Sequence, residues 1–349
     1  MKKKYSLLSI LCVISAFILF SCSGKEDDAE DTRNITISTN LSSIVADGLD
    51  KAVITVTCDG LDVTNKSEIF EAGTGKIESN IFSTKVEGNY TFYAKYDGIR
   101  TKDIEINAIA TENVKSFTRH IAVFKFTGTW CTWCPEGGRR LDYILTNSKY
   151  ENAHILAFHG GESTEPMLVP ETDILFNDFR KVGIDGYPAV VIDMREGNTN
   201  IKMEDTKSAL NRSISDYPAY YSVGIESVIS GNKANVDVSI YNSISDKYRI
   251  VVYVVENGLV HAQKEGQLIN QNFIHDHVVR KLASKTAYGD ATPSVEIGDT
   301  YNKKYEIEID PEWDLENTKV YALVISDKTG FIHNMALCDI NGGKMEHED

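Results

Sequence analysis

The spacing of hydrophobic and polar positions changes character along the chain. In Ala52-Val53-Ile54-Thr55-Val56-Thr57-Cys58 it alternates, which puts Ala52, Ile54, Val56 and Cys58 on one face of a strand. Asp59-Gly60 follows as a turn signal, and strands over 89–96, closed by Asp97-Gly98, and 102–106 continue the pattern. Short strands at this spacing predict a β-sandwich over residues 34–110, with Cys58 as a buried free thiol. From 115 to 217 the period switches back and forth. Strand-like runs at 121–126, 154–159 and 189–192 alternate with helical spacing at Leu141, Ile144 and Leu145, at Ile174, Leu175, Phe179 and Val182, and over 203–214. This order predicts an α/β domain with a central sheet. Residues 218–345 return to strands, at 221–229, 234–241, 248–256, 305–309, 320–325 and 335–340, which predict a second sandwich. Residues 262–300 are too polar to assign. The expected fold class is therefore mixed, an α/β domain flanked by two β-sandwiches.

The amino terminus sets the compartment. Lys2, Lys3 and Lys4 precede an uncharged, mostly apolar run over residues 5–20, too short for a membrane span of about 20 residues but suited to a signal peptide over 1–21. The run ends in Leu19-Phe20-Ser21-Cys22, which resembles a bacterial lipobox. That resemblance implies cleavage before Cys22 and a lipid on its sulfur, so that the membrane is a partner through this anchor. Residues 22–33 are polar and acidic and read as a tether. Lys25-Glu26-Asp27-Asp28 resembles the export signal of surface lipoproteins in Bacteroidetes-type bacteria; an acidic linker is the plain alternative.

The whole chain of 349 residues carries a formal net charge of -15, which disfavours a general nucleic-acid binder. Six cysteines are present, and after Cys12 and Cys22 only Cys131 and Cys134 are closely spaced, so a disulfide-rich scaffold is not expected. Cys338, beside Ala336 and Ile340 on a strand face, reads as a buried thiol.

Trp130-Cys131-Thr132-Trp133-Cys134-Pro135 lies between a strand and a helix. Free backbone N–H groups and the helix dipole favour a thiolate there, and can lower a thiol pKa from about 8.5 to roughly 3.5–7.5. Two intervening residues bring the second sulfur within bridging reach. Cys131 is expected to be the exposed nucleophile and Cys134 the resolving thiol. Pro135 suits the first turn, and Gly137-Gly138 permits close approach of another segment. Trp130 and Trp133 either contact a peptide substrate or pack in the core. The plain alternative for the pair is a fixed structural disulfide. Zinc needs about four ligands and no second Cys-x-x-Cys occurs, so no metal or other cofactor is expected. His275 and His277, at i and i+2, are expected on one face of a strand.

The order strand, Trp-Cys-x-x-Cys, helix, and Tyr187-Pro188 ahead of a strand resembles thioredoxin. The resemblance implies a cis bond before Pro188 and a substrate edge formed by Tyr187 and Pro188 facing the sulfurs. Residues 46–64 resemble bacterial immunoglobulin-like repeats. Phe126-Thr127-Gly128, Pro135, the β-rich carboxyl-terminal part and Phe273-Ile274-His275-Asp276-His277-Val278-Val279-Arg280 resemble the outer membrane protein 28-related lipoproteins of Bacteroidetes. That implies an outer membrane lipoprotein on the periplasmic or cell-surface face. One departure stands out. Six residues before Cys131, where thioredoxin has a buried acid, this chain has Lys125. Directed outward it is a solvated strand residue, the orientation expected here; directed inward it stabilises a thiolate but cannot serve as that base. Two functions follow: a thiol–disulfide oxidoreductase acting on protein thiols or disulfides, or a surface binding lipoprotein whose Cys pair is structural.

Overall fold

A computed structural model describes residues 33–48, 50–327 and 329–349. The expected signal peptide at 1–21, the lipid site Cys22 and the tether up to residue 32 lie outside the described residues. The chain is mostly β, with several sheets and few helices.

At the amino-terminal end, β1 (Ile35–Thr39) pairs antiparallel with β2 (Ala52–Cys58), while β3 (Gly88–Tyr96) pairs with β4 (Ile104–Ile109) in a second sheet. Alternate residues of both sheets meet in one core. Ile37, Ile54 and Val56 come from the first sheet, and Phe92, Ala94 and Ile106 from the second. Cys58 is half-buried rather than buried, because it ends β2 beside the Asp59-Gly60 turn.

The central region runs β5 (Ile121–Thr127), α1 (Cys134–Leu145), β6 (Ala153–His159), α2 (Glu171–Phe179), β7 (Ala189–Ile192), β8 (Glu196–Thr199) and α3 (Met203–Ser215). Its strands lie in the order β8-β7-β5-β6, with β5 parallel to β6 and antiparallel to β7. Strand β5 is buried on both faces, which explains its near-continuous apolar run. Val123 and Val190 pack with Leu141, Ile144 and Leu210 of α1 and α3. Phe124, Phe126 and Phe158 pack on the opposite face with Leu175, Phe176 and Phe179 of α2.

The remaining strands are β9 (Tyr221–Ser230), β10 (Lys233–Asn242), β11 (Tyr248–Glu256), β12 (Leu259–Glu265), β13 (Leu268–His275), β14 (Val278–Leu282), β15 (Thr300–Glu308), β16 (Thr318–Ser326) and β17 (Ile332–Asp339). Strands β15, β10 and β9 form one sheet. It packs through Val223, Val236 and Ile240 against Ile250, Val252 and Val254 of β11. The other face of β11, with Val251, Tyr253 and Val255, joins the core that contains Phe158. The sheet continues across residue 217: β6 is parallel to β14 at Ala157 and Val278, and β14, β11, β16 and β17, with the two-residue strand Asp290–Ala291 paired to β11, extend it to nine strands. The stretch 262–300, left unassigned by the polar sequence, contains most of the hairpin β12–β13 and the linking strand β14. Cys338 is buried, and burial followed by the neighbouring Asp339 pushes its thiol up to about 12.

Candidate functional site

Strand β5 ends at Thr127, and a tight turn then delivers the Cys pair. Cys131 N donates to the Gly128 carbonyl at 3.1 Å, and Cys134 N to the Cys131 carbonyl at 3.3 Å. Helix α1 starts at Cys134, so only this cysteine is helical; Cys131 sits in the preceding turn. The two are joined by a disulfide with Cα atoms 5.4 Å apart. Gly128 is required here: a Cβ would lie 2.6 Å from Trp130 Nε1 and 3.0 Å from the Gly160 carbonyl oxygen. That space lets the Trp130 indole fold back and donate to the Gly160 carbonyl at 2.9 Å.

The residues expected around the pair divide into two groups. Trp130 meets Tyr187 edge-on at 5.5 Å, and Tyr187 stacks on Phe176 of α2 at 4.6 Å. The Tyr187 hydroxyl is buried without a hydrogen-bond partner, and burial raises its pKa. Pro188 follows a cis peptide bond and presses on the first turn of α1, where a Cβ on Gly137 would lie 2.6 Å from its Cγ. Trp133 stands apart from this group and is 68% exposed.

Cys131 and Cys134 are only 4% and 5% exposed, so the expected exposed nucleophile is covered. The cover is the hairpin β12–β13. Lys264 N donates to the Thr129 carbonyl at 2.8 Å. The Gln263 amide donates to the carbonyls of Gly128 at 3.2 Å and Cys131 at 3.1 Å. Arg139 of α1 pairs with Glu265 at 2.7 Å. No periodicity in the sequence could bring a polar segment 132 residues away onto this turn.

Beneath the hairpin lies a cavity of about 340 Å³ that reaches Cys134 and Pro135 at the start of α1. Lys125 and Thr127 line it from β5, His159 from β6, and His275, Asp276 and His277 from the end of the hairpin. Lys125 is therefore half-buried and inward, not a solvated strand residue. Its odd position in β5 sends it to the α1 side of the sheet, where the hairpin closes over it. Burial lowers its pKa, opposed by Asp142 and Asp276.

His275 and His277 do not share a strand face. His275 ends β13, and His277 takes a left-handed conformation with φ 61° that breaks the pleat before β14. Burial, then His159, pushes His275 down to about 4; burial and then Lys125 lower His277. His275 Nε2 and His277 Nδ1 are buried with no hydrogen-bond partner. Among the described residues no group of three His, Cys, Asp or Glu side chains could hold a metal ion.

Sequence reading missed Glu165, placed in a polar insertion between β6 and α2. It is 5% exposed. It accepts from the Thr129 N–H at 2.7 Å, the Thr129 hydroxyl at 2.8 Å and His159 Nδ1 at 3.0 Å. Burial alone would raise its pKa, but His159 and Thr129 together bring it below the usual value. The available signal was weak: two acids, Glu162 and Glu165, lie within six residues of a histidine that ends a buried strand.

A family model described as outer membrane protein Omp28 matches residues 178–339. This supports a relationship to that family over β7 to β17, and it agrees with the expected location as an outer membrane lipoprotein. No curated protein matches the chain. The solved structure of HBP35 of Porphyromonas gingivalis is similar at 18% identity, with a TM-score of 0.55, over 64% of this chain and 76% of that one. At that identity the likeness concerns the fold. A domain of the outer membrane lipoprotein Omp28 from Porphyromonas gingivalis has 17% identity and a TM-score of 0.25, over 35% of this chain and 89% of that one.

Proposed function

We propose that this outer membrane lipoprotein is anchored by lipid on Cys22 and exchanges disulfides with protein thiols at Cys131 and Cys134. The working module is the thioredoxin-like α/β region around residues 115–217. An immunoglobulin-like sandwich at 34–110 separates it from the membrane, and residues 218–345 extend its sheet and lay the hairpin β12–β13 over the Cys pair. The observation that carries this reading is the placement of the disulfide. It lies at the end of the buried strand β5, at the start of α1, with Pro188 pressed on that same turn. Strand, Cys pair, helix and Pro-led strand therefore converge in space as well as in sequence.

In the oxidised protein a substrate thiolate attacks one sulfur of the pair. The Cys131–Cys134 bond breaks, a mixed disulfide forms and the other cysteine leaves as a thiolate. A second substrate thiol then attacks the mixed disulfide. The substrate gains a disulfide, and the protein gains two electrons and two protons as a dithiol. The reverse sequence reduces a substrate. Trp130 and Tyr187 supply the adjoining aromatic surface, Pro188 the neighbouring backbone edge, and Trp133 an exposed contact.

A second reading is favoured by one observation: both cysteines are buried under the hairpin, as suits a structural disulfide in a binding protein. Equilibration of the full chain with glutathione or dithiothreitol, followed by quantification of the Cys131–Cys134 peptide, separates the two. A reduction potential between about -270 and -120 mV supports exchange, and one below about -300 mV supports the structural disulfide.

A further inference from the structure

The geometry points to His159, oriented by Glu165, as the group that takes up and returns the Cys134 proton during exchange. This rests on the exchange reading above and assigns a chemical role to two residues outside the Cys-x-x-Cys turn.

The tautomer follows from the hydrogen bonds. The Glu165 carboxylate already accepts from both the N–H and the hydroxyl of Thr129 through one oxygen. Its other oxygen faces His159 Nδ1 at 3.0 Å. An ionised carboxylate only accepts, so the imidazole proton sits on Nδ1 and Nε2 keeps its lone pair. His159 is 2% exposed, and the cavity it lines is the one that reaches Cys134. A carboxylate behind an imidazole fixes its orientation and stabilises the cation formed when Nε2 takes a proton. Thr129 couples the two ends of this device, because it is only two residues from Cys131 and holds the carboxylate by two hydrogen bonds.

The surroundings keep His159 ready as an acceptor. Burial lowers its pKa most, Glu165 raises it, and Lys125 and His261 lower it. Lys125 reaches the cavity from β5, while Arg139 and Asp142 reach it from α1. The end of the hairpin contributes His275, Asp276 and His277. The His275 ring meets His159 edge-on at 5.2 Å, with its Nε2 buried and unpartnered. A polar cavity of this size, lined by unpartnered ring nitrogens, has room for the water that carries a proton between sulfur and imidazole.

In the reduced protein Cys131, its proton already given to solvent, attacks a substrate disulfide as a thiolate, forms a mixed disulfide and releases the first substrate thiolate. The Cys134 S–H proton passes to His159 Nε2. The Cys134 thiolate then attacks the Cys131 sulfur, the Cys131–substrate bond breaks, and the second substrate sulfur leaves with its electron pair. The imidazolium gives its proton to solvent through the cavity mouth. In the oxidising direction the same proton returns to the departing Cys134 thiolate.

The test uses the full chain carrying Cys58→Ser, reduced and mixed with an aromatic disulfide that releases a coloured thiolate at each of the two steps. In His159→Gln the second release should slow by roughly 100-fold at pH 7, while the first stays within about twofold. Its pH dependence should move to that of a free thiol, near about 8.5. In Glu165→Gln, which retains the imidazole, the inflection of the second phase should fall by about one pH unit, since the imidazolium loses its counter-charge. A second phase unchanged in rate and pH dependence in both variants overturns the role of His159 and leaves exchange standing. If His159→Gln does not fold, the Glu165→Gln profile decides alone. Absence of any release from Cys131 or Cys134 in the reduced protein overturns the exchange reading, and this proposal with it.

Discussion

The side-chain amide of Gln263 donates to the carbonyl of Cys131 at 3.1 Å, tying the hairpin β12–β13 to the turn that carries the disulfide. The same amide reaches the Gly128 and Lys264 carbonyls, and Gln263 is 2% exposed. Gln263→Ala removes these donors and leaves the Gly128 and Cys131 carbonyls with only their backbone partners, Cys131 N and Cys134 N. It should destabilise the protein by about 1–3 kcal/mol and speed reduction of Cys131–Cys134 by a water-soluble phosphine several-fold. Urea unfolding and a reduction time course read the two effects. Unchanged reduction kinetics would show that the hairpin does not control access.

The two cysteines should behave differently once separated. Cys134 belongs to α1 and borders the cavity, whereas Cys131 lies in the turn beside Trp130. Cys134→Ser should accumulate mixed disulfides through Cys131, and Cys131→Ser should accumulate few. Non-reducing gels with peptide mapping measure both. Equal trapping by the two variants would remove the assigned order of attack.

Arg119 and Asp193 form a buried ion pair at 2.7 Å, with side chains 8% and 0% exposed. Asp193 also accepts from Ala122 N of β5 and from Ser213 of α3. Arg119→Met removes the guanidinium that contacts this buried carboxylate and should cost about 3–5 kcal/mol. Arg139→Ala removes an exposed pair with Glu265 and should cost no more than about 1 kcal/mol. Denaturant midpoints for the two variants should differ accordingly; equal midpoints would contradict the contrast.

Stability should fall in mild acid. Burial, followed by the nearby His120, pushes His154 down to about 3, against an ordinary value of 6.5. A histidine whose pKa is lower in the folded state favours unfolding wherever the unfolded chain takes up the proton first. The contribution is therefore fully present above about pH 6.5 and is lost as pH drops toward 3, at no more than about 1.4 kcal/mol per pH unit. Urea unfolding at pH 7.5, 5.5 and 4.5 should show the decline, and His154→Gln should flatten it. A slope identical in that variant would assign the loss elsewhere.

The alternating and buried runs that became β2, β5, β7 and β11 were legible because each strand's face is set by residues within the run. The Cys pair was legible because its chemistry is local, and Pro188 was legible only through the resemblance to thioredoxin. Gln263, His159 and Glu165 were not. Their roles depend on side chains meeting across β5, the insertion after β6 and a hairpin more than a hundred residues away. Lys125 was misjudged because a single charge in an apolar strand says nothing about what closes over it. His277 was misjudged because a left-handed residue other than glycine leaves no period-two signature.

The continuous sheet also limits how the molecule can be dissected. Ala157 N donates to the His277 carbonyl at 2.7 Å, and Phe158 meets Tyr253 edge-on at 5.4 Å. A fragment ending at residue 217 would keep both cysteines but lose their lid, bare the rim of β6 to foreign strands and present phenylalanine to water. Such a fragment would report the chemistry of a naked disulfide on an aggregating surface, so kinetic comparisons belong on chains that retain residues 218–345.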